Sequence, residues 1–414
     1  MEKRVPIPLD EAISRVVRRA KEGETEWVPL EEADFRYLAE EVRADHDIPL
    51  FDRSMYDGFA LRAEDTAGAT AGSPVQLKVV ESIPAGFEAT RPLLPGTAMR
   101  IMTGAALPHG ADAIVMLEDV LERKTEAGPL IEVYSPVTPG QHISFKGEDI
   151  AQGTVLLQPG RRIGPGEKAA LATFGYQRVR VFKRPVVGIL ATGSELLPVH
   201  APMERGKIRN SNSYMLQAQL KQLGAEAKLL GMIGDHFEDS LDAVIKALED
   251  VDYLITTGGA SVGDYDFVQK VIEELGAQLL FNKVAMRPGS VTTVATLGDK
   301  WLFGLSGNPS ACYIGLELFV RPVLRRALGC KQLHLPRRTA RLERELSSEN
   351  AYLRLLRARM KYCENEIWVQ PVGLDKSGAI SGLIEANCLL MIPPGHHAYH
   401  HGDEVSIILL EGEE

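Results

Sequence analysis

Apolar residues recur at helical spacing twice near the start of the chain. Ile13, Val16 and Val17 follow Asp10, a residue placed to cap a first turn, and predict one amphipathic helix. Phe35, Leu38, Ala39 and Val42, after Pro29, predict a second. From about residue 46 to 146 short apolar stretches such as Val75–Val80 and Ala113–Leu117 alternate with Pro/Gly turns, the pattern of a β-rich region. Gly153–Leu157 and Val179–Phe182 extend that β-like texture.

After Pro185 the period switches between strand and helix. Strands are predicted at 186–191, 228–232, 252–257, 279–285, 291–296 and 301–305. Helices are predicted at 211–223, 240–248, 267–275 and about 309–328, the first with Asn210 or Ser211 as its cap and Gly224 as its stop. Such alternation implies a mostly parallel sheet covered on both faces. The last 85 or so residues return to strand patterns at 354–360, 366–370 and 405–410.

A length of 414 residues fits two to four domains. The net charge of −10 argues against nucleic acid or an anionic membrane as the main partner. No apolar run reaches the 18 or so residues that would span a bilayer, and Met1–Pro8 carries no apolar signal core, so a cytoplasmic protein is expected. Cys312, Cys330, Cys363 and Cys388 show no C-x-x-C spacing and read as reduced, mostly buried thiols.

Ligands of open α/β sheets bind beyond the carboxyl ends of the strands. Four loops follow strands here: Thr192-Gly193-Ser194-Glu195, Gly234-Asp235, the run from Gly258 and Gly259 through Ser261 and Gly263 to Asp266, and Ser306-Gly307-Asn308-Pro309. Their glycines let backbone approach a ligand, and helix N-termini beyond them offer free N–H groups to an anion. Glu195, Asp235, Asp264 and Asp266 would crowd the same rim, although Asp264 reads equally as a helix cap. Like charges about 4 Å apart repel by about 4 kcal/mol at an effective dielectric near 20, so an anionic ligand there needs a bridging cation. Hard oxygen donors favour Mg2+. Lys283 and Arg287 could add positive charge, with Pro288-Gly289 fixing the backbone direction of Arg287. In the β-rich region, Asp52–Phe59 and Arg100–Asp112 read as polar loops. The His396–His401 run lies between turn signals and reads as a solvated turn.

These residues together resemble the molybdopterin molybdenumtransferase (MoeA) family, to which the C-terminal domain of gephyrin is related. The resemblance rests on Ser54–Ala60, Arg100–Gly104 with Gly110–Asp112, Gly147–Ile150, Thr192–Glu195, Gly206–Asn212, Thr257–Gly263 with Asp266, Leu355–Met360 and Ser377–Gly382, in order over some 330 residues. It implies a multidomain α/β and β fold in four parts. These are a helical/β N-terminal domain (1–45 plus 147–182), an inserted β-rich domain (46–146), a three-layer α/β domain (183–328) and a C-terminal β-barrel (329–414).

The resemblance also implies an activity, the insertion of molybdate into adenylylated molybdopterin with release of AMP and a requirement for Mg2+. It implies a homodimer with its site between subunits, bringing Asp57 and Thr103 of one chain towards the α/β loops of the other, and a molybdopterin adenylyltransferase as substrate donor. Carried over by position, the catalytic set is Asp57, Thr103, Glu195, Asp235, Asp266, Lys283 and Arg287. Glu195, Asp235 and Asp266 form the metal set. Thr192, Gly193, Ser194, Gly258, Gly259, Ser261, Gly263, Gly307, Asn308, Pro309 and Ser377 form the substrate-binding set. Two positions depart from the family pattern: Ser290 stands where a lysine is usual, and Ser306 where a proline is usual. They leave a tungstate-preferring paralogue and a non-catalytic molybdopterin-binding scaffold as alternatives. A molybdopterin adenylyltransferase would need only the central domain.

Overall fold

The computed structural model describes residues 5–234, 237–258 and 267–410. Two compact units divide the chain: 41–158 with 169–176, and 1–40 with 159–168 and 177–414.

The first unit is built on a six-stranded mixed sheet. Its order is Ala113–Met116, Gly58–Leu61, Thr97–Ile101, Val75–Ile83, Gly128–Val133, Val120–Thr125. Successive residues of Gly58–Leu61 serve opposite faces, as the two-residue period of a strand requires. Phe59 and Leu61 pack with Leu77, Ile131 and Val133, whereas Ala60 packs with Ile83, Met99, Ile101 and Ile114. Gly58 crosses where no side chain fits, because a Cβ there would collide with the Val115 carbonyl. The pair Val42–Arg43 and Val155–Leu157 also belongs to this unit.

In the second unit the central sheet has the order Glu226–Ile233, Val186–Thr192, Tyr253–Thr257, Lys300–Leu305, Thr293–Leu297, Gln278–Phe281. The first four strands are parallel and the last two antiparallel, so the expectation of a mostly parallel sheet holds. Val187, Ile189, Ile255 and Phe303 face Leu216 and Leu220 of helix Asn212–Gln222 and the long helical segment from Pro309. Leu190, Leu254 and Leu302 face Val244 and Leu248 of helix Phe237–Asp250 and Val271 of helix Phe267–Glu274. The Pro309–Ala327 segment carries a wider π turn at Leu316–Val320. Pro322 follows, and its missing N–H interrupts the regular ladder there. Glu317 and Arg321 are both buried in this segment and pair at 2.5 Å, with Gln219 Nε2 donating to Glu317 at 2.7 Å.

The C-terminal strands close on themselves. Leu353–Cys363, Glu366–Pro371, Arg337–Leu342, Glu404–Leu409 and Cys388–Ile392 form a ring, completed where Cys388–Ile392 pairs back to Leu353–Cys363. Full closure removes both sheet edges. Leu356 and Ala358 fill this five-stranded barrel with Leu342, Val369 and Ile407, while the alternating Leu355 joins the core of the α/β sheet.

Three local expectations need correction. The second predicted helix is absent: Thr25–Pro29 is a strand paired with Arg178–Phe182, a single 3-10 turn covers Leu30–Glu32, and Leu38 bridges to Val181. A tertiary pairing thus overrides the helical spacing of Phe35 to Val42, and Phe35, meant for the buried face, is exposed. Asp10 does not cap the first helix. That helix runs Leu9–Arg19 behind Pro8, with Asp10 inside its acidic first turn, where the helix dipole favours it. Helix Asn212–Gln222 is capped by Asn210, whose Oδ1 accepts the Ser213 N–H at 3.2 Å. The histidine run is not a turn throughout, because Gly395–Tyr399 is a strand paired antiparallel to Leu346–Asn350. Three of the four cysteines are buried and Cys363 is exposed.

Candidate active site

Three loops at the carboxyl edge of the parallel strands meet through their glycines. Gly193 N–H donates to Ile233 O at 3.1 Å, linking the ends of the first two strands. The buried Thr192 hydroxyl donates to Thr257 O at 3.1 Å. Gly258 N–H donates to Leu305 O at 3.1 Å. Gly258 has φ +90°, and a Cβ on it would collide with the Thr192 carbonyl, so only glycine allows this approach. Gly307 lies over Gly258, and its carbonyl accepts from Asn212 Nδ2 at 2.8 Å. The Oδ1 of Asn212 is buried with no hydrogen-bond partner among the described residues. Glu195 and Ser194 are exposed at the end of the first loop, and the Glu195 carbonyl accepts the Ile208 N–H at 2.9 Å. Asp235, Gly259, Ser261, Gly263, Asp264 and Asp266 lie outside the described residues.

Ser306–Asn308 also forms one wall of a cleft of about 740 Å3 between the α/β sheet and the barrel. Asn308 and Pro309 open the Pro309–Gly315 helix, with Pro309 in its first turn. Arg287, Pro288, Gly289 and Ser290 form a second wall. Met286–Arg287 runs parallel to Leu353–Arg354, so a short strand ties the Pro-Gly turn to the barrel. The Arg287 guanidinium lies 5.9 Å from the Tyr352 ring centre. Lys283 is half-buried with its carbonyl accepting Ile7 N–H at 3.1 Å, and it does not line this cleft.

The barrel supplies what the sequence reading left out. Arg354, Arg357, Asp375, Lys376 and the acid Glu349 also line the cleft, beside the expected Ser377. Arg357 is buried and spends its guanidinium on carbonyls. Nη1 donates to Ser310 Oγ at 2.6 Å and to Ala379 O, and Nη2 donates to Leu374 O and, at 3.2 Å, to Lys376 O. Ser310 N–H in turn donates to Ser377 O at 3.1 Å. The 374–379 loop, with Ser377, is thereby stapled to the start of the Pro309–Gly315 helix. Arg354 donates to Ser348 Oγ at 3.1 Å and pairs with Asp375. Partial burial, and then the Arg287 guanidinium nearby, lower the Arg354 pKa. Ser290 and Ser306, the two departures, both line the cleft. Leu355–Met360 carried a visible cue, since Arg357 lies on the same strand face as Leu355, which the core buries.

In the other unit, Asp57 and Thr103 are brought together. One carboxylate oxygen of Asp57 accepts both the Thr103 N–H and its hydroxyl, each at 2.7 Å. The Thr103 backbone N–H, then the Thr103 hydroxyl and the charge of Arg100, hold the Asp57 carboxyl below its ordinary pKa.

Family profiles match most of the chain. Residues 7–175 match the MoeA N-terminal region (domain I and II), 188–326 a probable molybdopterin binding domain, and 339–410 the MoeA C-terminal region (domain IV). A molybdopterin molybdenumtransferase of Bacillus subtilis is 49% identical over 413 residues, covering 100% of this chain and 96% of the relative. The chain belongs to the molybdopterin molybdenumtransferase family. A relative of the same name from Staphylococcus epidermidis is 42% identical, over 99% of this chain and 97% of its own. The crystal structure of a molybdopterin biosynthesis MoeA protein from Pyrococcus horikosii superposes with a TM-score of 0.84 at 34% identity, over 99% of this chain and 100% of that one. The family's multidomain α/β and β architecture, closed barrel included, is the fold described above.

Among the described residues, no three His, Cys, Asp or Glu side chains gather as a metal site, and no helix is long and apolar enough to cross a membrane. Of the three carboxylates expected to hold Mg2+, only Glu195 is described.

Proposed function

We propose that this protein inserts molybdate into adenylylated molybdopterin, releasing AMP. The observation that carries the reading is the cleft. Arg287, Arg354 and Lys376 face a wall that continues through Ser306–Asn308 to the glycine contacts of Gly258 and Thr192. Three cations suit a tetrahedral oxyanion and a phosphate, and glycine-lined backbone lets a flat pterin or a nucleotide come close.

In this reading Thr192, Gly193, Ser194, Gly258, Gly259, Ser261, Gly263, Gly307, Asn308, Pro309 and Ser377 bind the adenylylated pterin. Arg287 and Lys283 offset anionic charge, and Asp57 with Thr103 acts from a second subunit. Glu195, Asp235 and Asp266 are hard oxygen donors that fit Mg2+. When bound, the ion offsets repulsion between these carboxylates and the phosphates. No nucleophilic side chain is needed, because the pterin dithiolene accepts the metal; the chain contributes position and charge. We further propose a homodimeric, cytoplasmic enzyme of four domains with the boundaries given above, supplied by a molybdopterin adenylyltransferase.

The test is AMP formation from adenylylated molybdopterin, molybdate and Mg2+ by the purified protein. AMP release is expected, with loss in Asp266→Ala and on chelation. Binding of the adenylylated pterin with no AMP under any metal would overturn the catalytic reading and leave a scaffold. Tungstate in place of molybdate tests the preference for the oxyanion.

A further inference from the structure

A left-handed residue stands against the turn that leads into Asp57. His142 has φ +58°, a conformation that is costly for a residue with a side chain. Its Nδ1 is buried with no hydrogen-bond partner among the described residues. Each feature is unfavourable by itself, and each persists where the surroundings over-determine the residue.

The turn is anchored at both ends. Arg53–Ser54 pairs antiparallel to Ile143–Ser144, the strand that His142 precedes. Asp57 is fixed by Thr103 and by its own carbonyl, which accepts the Leu117 N–H at 3.2 Å. Met55 and Tyr56 span the gap between these anchors, and both are exposed. His142 reaches both. Its carbonyl accepts the Met55 N–H at 3.0 Å, and its ring centre lies 5.1 Å from that of Tyr56, with the rings at 80°. The Ser54 hydroxyl closes the turn by accepting the Tyr56 N–H at 3.3 Å.

We propose that His142 is a positioning residue: through Met55 and Tyr56 it fixes the turn that sets the Asp57 carboxylate against Thr103. The inference rests on the reading of Asp57 as part of the reaction. An edge-on aromatic contact restrains Tyr56 without a hydrogen bond, so the imidazole holds this place with Nδ1 unpaired. Freed at its middle, the turn lets Asp57 leave the two Thr103 donors. A misplacement of about 1 Å in a reacting group is enough to slow a reaction without weakening binding.

The experiment compares the full-length protein with His142→Asn and His142→Gly, both of which accept a positive φ, and with Tyr56→Ala. Carboxyl-labelled NMR follows the titration of Asp57, and AMP formation from adenylylated molybdopterin, molybdate and Mg2+ gives kcat and KM. The Asp57 pKa is expected to rise toward the ordinary aspartate value in all three variants. The kcat should fall roughly 2- to 12-fold, the range to which one edge-on aromatic contact converts, with KM unchanged. His142→Asn on top of Tyr56→Ala should cost little more, because both remove the same contact. Tyr56→Ala keeps the imidazole and any charge on it, so a rise confined to the His142 variants marks a charge effect and overturns the inference. An Asp57 titration unmoved in every variant overturns it as well, and leaves the role of Asp57 intact. Full kcat in Asp57→Asn, or in variants whose Asp57 titration has moved, instead overturns the reading of Asp57 beneath it.

Discussion

Asp57 shows how a single exposed carboxylate can be held ready without burial. Two donors from Thr103 converge on one oxygen, and both favour the ionised form. The folded carboxyl is thus a stronger acid than an unstructured aspartate, whose pKa is about 3.9. The stability this lends is full above that ordinary value and is lost as pH falls through the lower, folded value. Carbon-detected titration by NMR should place Asp57 below the ordinary value in the wild type, and Thr103→Ala should raise it. The spacing of Asp57 and Thr103 in sequence says nothing of this contact. It arises because Gly58–Leu61 pairs with Thr97–Ile101, which sets the ends of both strands side by side.

At the scale of an element, the 374–379 loop depends on one side chain. Arg357 satisfies the carbonyls of Leu374, Lys376 and Ala379, and Ser310 adds a hydroxyl. Arg357→Met keeps the aliphatic stem and removes every donor. It should cost about 3 kcal/mol, because buried acceptors lose their partner. Urea denaturation measures the loss, and limited proteolysis should find new cleavage between 374 and 379. The histidine ribbon teaches the opposite lesson about local signals. Pro393-Pro394 and Gly402 bracket the run as turn residues do, but five ladder partners on Leu346–Asn350 draw Gly395–Tyr399 into a strand.

Over the whole molecule, the barrel and the α/β sheet share a core. Leu355, Leu389 and Ile408 of the barrel pack in the same cluster as Ile189, Phe303 and Val323. Leu355→Ala should therefore cost about 2–5 kcal/mol. Hydrogen exchange should show faster opening in both Val186–Thr192 and Cys388–Ile392, whereas separate opening of the barrel strands alone would show that the two fold independently. The same shared core fixes the width of the cleft, since its two walls come from the two parts.

Periodicity alone determined the strand–helix alternation after Pro185 and the mostly parallel sheet, because core-facing residues must repeat with the period of their element. Glycine and carboxylate placement after those strands likewise marked the loops that meet at Thr192, Gly258 and Gly307. Only the tertiary structure decided that Thr25–Pro29 is a strand, that the barrel closes, and that Arg354, Arg357 and Asp375 belong to the cleft. Those outcomes depend on partners distant in sequence, such as Arg178–Phe182 for Thr25–Pro29 and Cys388–Ile392 for Leu353–Cys363, or on which face of a strand meets a neighbour, and a local pattern carries neither.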